Sequence, residues 1–345
     1  LRPLPGIIAM GFVPLIEVSR GGLVECQHWG AVAVADRDGR VSAQVGDPYT
    51  VTFTRSTIKA FQALPFMQSG GARALGWGQG ELALLCASHN GEPMHVEQAD
   101  RMLASVGQDY HALRCGCHRP LFAELGLGTL PEGFVPDERH NNCSGKHAGF
   151  VAHCVQQGLP LEDHLDPAHP LQVAIRDHVA QAVGLAPDQL AMGIDGCSAP
   201  NYAMPLAHLA RGYARLAGGA PDTDLHESLT TLADAMVARP ELGSGTGRHD
   251  LDFMQVGQGD WVSKTGADGV QVVGSRSRGE AFALKIMDGN MVAQVAAAVE
   301  VMDQLGWLDA GQREALARRR SAHIVNAKGL TVGGRRAVFR LQKAG

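Results

Sequence analysis

Two hydrophobic periodicities divide this chain. Near its start, short apolar runs at residues 23–26, 31–35 and 41–45 read as strands, the last two joined by the Asp36-Arg37-Asp38-Gly39 hairpin turn. Strand patterns return near the other end. Residues 261–265 and 270–275 flank a Gly-Ala-Asp-Gly turn at 266–269, residues 281–287 follow, and 336–341 read as a last strand. Between these ends the period lengthens. Leu225, Leu229, Leu232 and Met236 recur on one face of a 3.6-residue repeat, as do Leu171, Ile175, Val179 and Val183. Val96, Ala99, Leu103 and Val106 repeat the pattern, and so do Val295, Val299, Met302 and Leu305. Residues 19–60 and 260–345 are therefore mainly sheet-forming, and 61–259 a mainly helical insertion. With no internal repeat or low-complexity linker, the chain reads as a single unit over 1–345. The predicted class is α/β (α+β), an antiparallel sheet built from both chain ends with flanking helices and an inserted helical region.

Composition narrows the functional classes. At 345 residues, with 45% hydrophobic and 19% charged residues, the chain can bury a sizeable core. A net charge of -5 and a pI near 6.3 argue against nucleic acid or an anionic membrane as partner. No run approaches the roughly 20 apolar residues of a membrane span. Seven scattered cysteines, an odd number, do not make a disulfide framework. Residues 1–18 have only Arg2 as a basic group and no small-residue cleavage site, so no signal peptide is read there. Reduced thiols in the cytoplasm are the expectation.

The chemistry centres on Arg55-Ser56-Thr57-Ile58-Lys59, at the passage from a strand-rich stretch to a helix marked by Ile58, Phe61 and Leu64. At i and i+3, Ser56 and Lys59 share a helix face. A serine hydroxyl attacks only after a base takes its proton, and lysine is a base only when neutral, through burial or a cationic neighbour. Arg55 and the helix N-terminus are the candidates for that help, and the same dipole would favour an oxyanion. Alone, Ser-x-x-Lys arises readily as an N-cap serine and a surface lysine. Here Ser88-His89-Asn90 and Lys264-Thr265-Gly266 follow in order, completing the Ser-x-x-Lys, Ser-x-Asn, Lys-Thr-Gly set of penicillin-recognising serine enzymes. That set brings a second serine and a second lysine to the first pair.

Other clusters are weaker. Cys143-Ser144-Gly145-Lys146 and Asp195-Gly196-Cys197 contain zinc-type ligands, with His140 and His147 as alternatives, but two isolated cysteines fit no four-ligand spacing, and buried structural thiols are favoured. Gly145 and Gly196 beside the two cysteines suggest tight turns. Cys115-Gly116-Cys117-His118 is read as structural. Gly243-Ser244-Gly245-Thr246-Gly247-Arg248 resembles a phosphate loop but lacks the Gly-Lys-Ser/Thr ending, which favours an active-site or surface loop. Arg318, Arg319 and Arg320 read as the solvated end of a helix.

Several blocks together resemble a known family. These are residues 19–25 (Ser-Arg-Gly-Gly-Leu-Val-Glu), 55–59, 87–93 (Ala-Ser-His-Asn-Gly-Glu-Pro), 140–147 (His-Asn-Asn-Cys-Ser-Gly-Lys-His), 193–200 (Gly-Ile-Asp-Gly-Cys-Ser-Ala-Pro), 245–248 and 264–270. They are similar to the asparaginase II family of rhizobial type, the class 3 L-asparaginases, across residues 19 to 286. The resemblance implies a fold like that of serine β-lactamases and glutaminases, a homodimer, and L-asparagine as the small-molecule substrate. It implies two Ser-Lys tandems, Ser56 with Lys59 and Ser88 with Lys264, and a zinc ion on Cys143, Lys146 and Cys197, which reverses the structural reading of those thiols. Arg55, His89, Asn90 and Asp195 stand in the same blocks as candidate substrate-binding residues. Ser56 is the preferred nucleophile, because its base lies at i+3. Two other classes share parts of this pattern: a β-lactam- or peptide-processing serine hydrolase, and a non-enzymatic zinc-binding protein.

Overall fold

The computed structural model describes residues 11–344; part of the N-terminal stretch read for a signal peptide lies outside them. Twelve strands are found among the described residues: β1 (Val13–Arg20), β2 (Leu23–Asp36), β3 (Val41–Val45), β4 (Val51–Phe53), β5 (Ala191–Ile194), β6 (Pro200–Pro205), β7 (Trp261–Gly266), β8 (Val270–Ser275), β9 (Glu280–Ile286), β10 (Ala322–Val325), β11 (Thr331–Ala337) and β12 (Gln342–Lys343). Nine form one antiparallel sheet in the order β10-β11-β1-β2-β9-β8-β7, with β3 on β2 and β12 on β3. Strands from the two chain ends meet where β2 pairs with β9, so the expected sheet from both termini is present.

Alternation along the central strands decides what covers each face. Ala31, Ala33, Ala35, Ala281 and Ala283 point to the inserted helical region, whereas Val32, Val34, Phe282, Leu284 and Ile286 point to the C-terminal helices Met291–Gln304 and Ala310–Arg320. The small alanine face lets the helix Leu206–Gly218 lie close to the sheet. A Cβ at Gly274 would stand 2.7 Å from the Tyr213 carbonyl oxygen and 2.8 Å from the Ala217 Cβ. All four expected helices form, at Pro93–Ala104, Pro170–Val183, His226–Ala238 and Met291–Gln304, with Val106 lying just beyond the first.

Four features differ from the sequence reading. Residues 23–26 and 31–35 belong to one strand, β2, whose outer half is exposed on both faces and so shows no apolar alternation. β1 escaped because a register shift between Pro14 and Ile16 buries the adjacent Leu15 and Ile16 together. The last strand expected at 336–341 lies instead at Thr331–Ala337, through the pair Gly333-Gly334, where Gly333 runs against the Ser19 carbonyl. The inserted region also contains strand: β5 and β6 join β4 in a three-stranded sheet, order β4-β6-β5. This small sheet supports the residues before Ser56.

Gly145 and Gly196 have different reasons from the turns expected of them, since neither has positive φ; in the second loop that conformation falls on Ser198, φ 68°. Gly145 lies in the Ser144–Gln157 helix, and a Cβ there would strike the carbonyl and side chain of Leu84 in the Gln79–Leu85 helix. A Cβ on Gly196 would meet nothing within 4 Å. Gly145→Ala is therefore expected to cost about 1–3 kcal/mol of stability through overpacking. Gly196→Ala is expected to stay within about 0.5 kcal/mol of wild type. Urea midpoints check both; equal midpoints would refute the close-packing account.

Candidate functional site

The passage from β4 to the first helix is bent and held in place. Arg55 has φ 51°, an unfavourable conformation for a residue with a Cβ. Asn201 on β6 holds it from both sides, its Oδ1 accepting from Arg55 N–H at 3.0 Å and its Nδ2 donating to the Arg55 carbonyl at 2.9 Å. Thr54 is fixed through the Tyr202 carbonyl. Ser56 then stands in a single 3-10 turn, Arg55–Ile58, that runs into the short helix Lys59–Gln62. So short a helix carries little of the dipole expected of it. Arg55 is likewise engaged elsewhere: Nε donates to Asp195 at 2.8 Å and Nη1 pairs with Asp268.

Both lysines converge on one hydroxyl. Lys59 Nζ donates to Ser88 Oγ at 3.0 Å, to the Asn142 carbonyl at 3.1 Å and to the Ala87 carbonyl. Lys264 Nζ donates to the same Ser88 Oγ at 2.7 Å and to the Thr265 carbonyl at 2.9 Å. Lys59, Ser88 and Lys264 are all buried. Burial, reinforced by the cationic Lys59 and Arg248 against the opposing Asp250, pushes Lys264 down to about 7. The Ser56 hydroxyl has no hydrogen-bond partner among the described residues. It lines a pocket of about 250 Å³ with Arg55, His118, Asn142, Cys143, Asp195 and Cys197. Arg55 and Asp195 also border a second pocket of about 410 Å³, which reaches Asp268 and Lys285.

Cys143, Lys146 and Cys197 come together, each nearly inaccessible to solvent. Lys146 Nζ donates to Cys197 Sγ at 3.0 Å. A hydrogen bond from Cys143, with Lys146 and His147 nearby, holds the Cys197 thiol far below the ordinary range and drives Cys143 up. Against the desolvation of burial, the two sulfurs hold Lys146 protonated. Two sulfurs and an amine nitrogen at one point fit a zinc ion once that amine is deprotonated. Among the described residues no group of three or more His, Cys, Asp or Glu side chains is arranged to hold a metal ion. His140 turns elsewhere, to Asp137, while His147 bonds the Leu113 carbonyl through Nδ1 and keeps its ring beside Cys197.

His89 and Asn90 are engaged with protein groups. His89 Nδ1 accepts from Gly91 N–H, so its Nε2 carries the hydrogen bonded to Ser144 Oγ at 2.9 Å. Asn90 donates its amide N–H to the Thr246 carbonyl at 3.0 Å, and its Oδ1 accepts from Arg248 Nη1 at 3.2 Å. These bonds make the loop 243–248 a wall beside the Ser88 segment. Its Thr246 amide is already used by Glu92, and the Gly243 carbonyl accepts from Ser88 N–H. His118, within the stretch read as structural, reaches the first pocket and accepts from Asn142 N–H at 3.0 Å. The sequence reading missed Asn201 and, behind Lys264, the buried Asp250; neither lies in a chemical motif. All seven cysteines are free, and no helix among the described residues is long and apolar enough to cross a membrane.

The folded state of Lys264 sheds a proton near pH 7 that the unfolded chain keeps to about 10.5. Between these values the unfolded state binds more protons, so this residue makes stability rise with pH; below pH 7 the full cost of a buried ammonium is present. Lys264→Met should remove that contribution, gaining stability relative to wild type at pH 6 and losing the advantage by pH 10. Denaturant titrations at several pH values check this, and parallel curves for the two proteins would contradict it.

Comparison with known proteins places this chain. Solved structures similar to it include a β-lactamase from Mycobacterium bovis, 14% identical over 80% of this chain and 94% of that one, TM-score 0.39. A penicillin-binding protein homolog from Caulobacter crescentus is 16% identical over 79% of this chain and 92% of that one, TM-score 0.38. Simvastatin synthase from Aspergillus terreus is 11% identical over 77% of this chain and 89% of that one, TM-score 0.31. Likenesses this distant carry no functional argument. No curated protein matches the sequence. The model of the L-asparaginase II family matches residues 16–337, nearly the whole chain, and the protein belongs to that family of amidohydrolases.

Proposed function

We propose that this protein hydrolyses the side-chain amide of L-asparagine through Ser56, with a zinc ion beside the site. The observation that carries the reading is the Ser88 hydroxyl held between the Lys59 and Lys264 amines at 3.0 and 2.7 Å, next to a pocket that Ser56 lines. Ser56 Oγ forms a bond to the amide carbon as its proton passes to Lys59, which at the same time hands one through Ser88 Oγ to the neutral Lys264 amine, giving a tetrahedral intermediate. The intermediate collapses by breaking the C–N bond. The leaving nitrogen takes a proton from the lysine-serine-lysine chain and departs as ammonia. Water then attacks the acyl-serine ester by the same proton route, releasing aspartate and restoring Ser56. Arg55 and Asp195, with Asp268 and Lys285 beyond, present both charge signs to the pockets, which suits the ammonium and carboxylate of a free amino acid. His89 and Asn90 serve this site by holding its walls. Cys143, Lys146 and Cys197 would hold the zinc ion, whose positive charge orders the substrate pocket when bound. The homodimer and the cytoplasmic setting are part of the same proposal.

Ammonia release from L-asparagine, L-glutamine and a chromogenic β-lactam tests the substrate. Asparagine should be turned over fastest, although one methylene separates it from glutamine by only about 1–3 kcal/mol. Turnover of the β-lactam without asparagine would overturn the reading. Ser56→Ala, Lys59→Ala, Ser88→Ala and Lys264→Ala should each lower kcat by about a thousandfold or more, and Ser56→Ala with Lys59→Ala little further. Near-normal activity in Ser56→Ala would transfer the attack to Ser88.

Metal analysis tests the zinc site independently. Cys143→Ser and Cys197→Ser are expected to bind well below one zinc per chain, and Cys143→Ser to raise KM more than it lowers kcat. Full zinc in both variants would remove the site; loss of kcat at unchanged KM would remove the ordering role.

A further inference from the structure

Behind β7 lies a polar cluster that the reaction outlined above does not use. Along this strand Val262 and Lys264 face the helical region, while Trp261, Ser263 and Thr265 face the other way. Asp250, second residue of the His249–Val256 helix, is buried on that far side. Its Oδ2 accepts from the Thr265 backbone N–H at 2.7 Å. Its Oδ1 accepts from Ser263 Oγ at 2.7 Å and from Gln271 Nε2 at 3.0 Å. Gln271 Oε1 in turn accepts from His249 Nε2 at 2.9 Å and from Gln294 Nε2 at 3.0 Å. Gln294 also donates to Thr265 Oγ1 at 2.8 Å.

A buried carboxylate is costly unless hydrogen-bonded and paired. Here it is hydrogen-bonded on both oxygens, and against full burial the neighbouring His249 and Lys264 keep it ionised. Tying down Thr265 N–H alone would need only a neutral acceptor. The charge gains a purpose from what faces Lys264. Around that amine are the cations Lys59 and Arg248, the thiols of Cys86 and Cys143, and Asp250, the carboxylate of the set.

We propose that Asp250 is a positioning residue: bonded to the backbone of Thr265, it fixes the strand end that carries Lys264 and supplies the negative charge that lets this buried amine accept and return a proton. The proposal rests on the role given above to Lys264 in amide hydrolysis. Burial and two flanking cations would otherwise leave the amine neutral throughout turnover. A group that shuttles protons works best when its affinity lies near the working pH, and the about 7 of Lys264 meets that condition.

The test uses the intact chain, whose six lysines make Cε resonances of carbon-13-labelled lysine assignable. In Asp250→Asn the amide oxygen still accepts from Thr265 N–H, but the charge is gone. The Lys264 midpoint should fall by about one pH unit or more, since a buried neighbouring charge within several ångströms is worth at least that. The acid limb of kcat/KM for asparagine should move down with it. Loss of general acid–base competence should lower kcat by about tenfold or more, with KM held within about twofold. Asp250→Ser, equally uncharged and smaller, gives the same readout if the asparagine variant does not fold. Ser263→Ala removes a bond to Asp250 and keeps the charge, so its Lys264 midpoint should stay at the wild-type value. An unmoved midpoint in a folded, uncharged Asp250 variant overturns the proposal, as does a Ser263→Ala midpoint shifted equally far. Should the wild type release no ammonia from asparagine while the Asp250 variants still shift the midpoint, the asparagine reading fails and the assignment of Asp250 stands.

Discussion

Two lysine amines buried against one serine hydroxyl set the terms for the rest of this molecule. Two ammonium groups in so small a volume would repel each other and lose their hydration together, so burial favours neutralising one of them. Lys264 yields, with its proton affinity brought down to about 7. The remaining hydrogen-bonding capacity is met by a collar of carbonyls: Ala87, Asn142 and Thr265. Each comes from a different part of the chain, the end of the Gln79–Leu85 helix, the turn before the Ser144–Gln157 helix, and β7. The collar closes only if those three are packed to within tenths of an ångström. The contact of Gly145 on Leu84 and the close pass of β7 by the first turn, where a Cβ on Gly266 would be 2.9 Å from the Thr54 carbonyl, bring them there.

The same convergence explains what could be read in the sequence. Ser56, Lys59, Ser88 and Lys264 were visible because each is chemically conspicuous within a short motif, and their ordered appearance carries more information than any one. The sheet was legible wherever a strand buries one or both faces, as in residues 31–35 and 270–275. It was obscured where two neighbours are buried by a bulge, as at Leu15 and Ile16, or where glycines replace side chains, as at Gly333 and Gly334. Asn201 and Asp250 were silent for another reason. Their roles depend on partners 146 and 15 residues away, Arg55 and Thr265, and one polar residue has no periodicity to betray it, whether its neighbours are apolar, as beside Asn201, or polar, as beside Asp250. The polar walls carry a different signal. His89 and Asn90 look like substrate ligands from their motif, yet the fold spends their hydrogen bonds on Ser144, Gly91, Thr246 and Arg248.

These engagements separate groups that can change partners from groups that cannot. Asn201, Asp250, His89 and Asn90 have their bonds committed to backbone or to other side chains of the fold, and each fixes a segment: the strained Arg55, the end of β7, the Ser144–Gln157 helix and the 243–248 loop. The Ser56 hydroxyl is unpartnered among the described residues and open to a pocket, while Arg55 and Asp195 border that pocket paired with each other. A free amino acid entering there would find one cation and one anion already aligned. It could take up both without leaving either charge unpaired, because its own ammonium and carboxylate replace the contacts it displaces. A substrate with only one of those charges would strand the partner of the group it captured, which in a half-buried site is a substantial penalty. In the hydrolysis proposed above, the pairing of Arg55 with Asp195 would act as a selectivity element before any bond is made, and it depends on the left-handed turn at Arg55 that Asn201 holds in place.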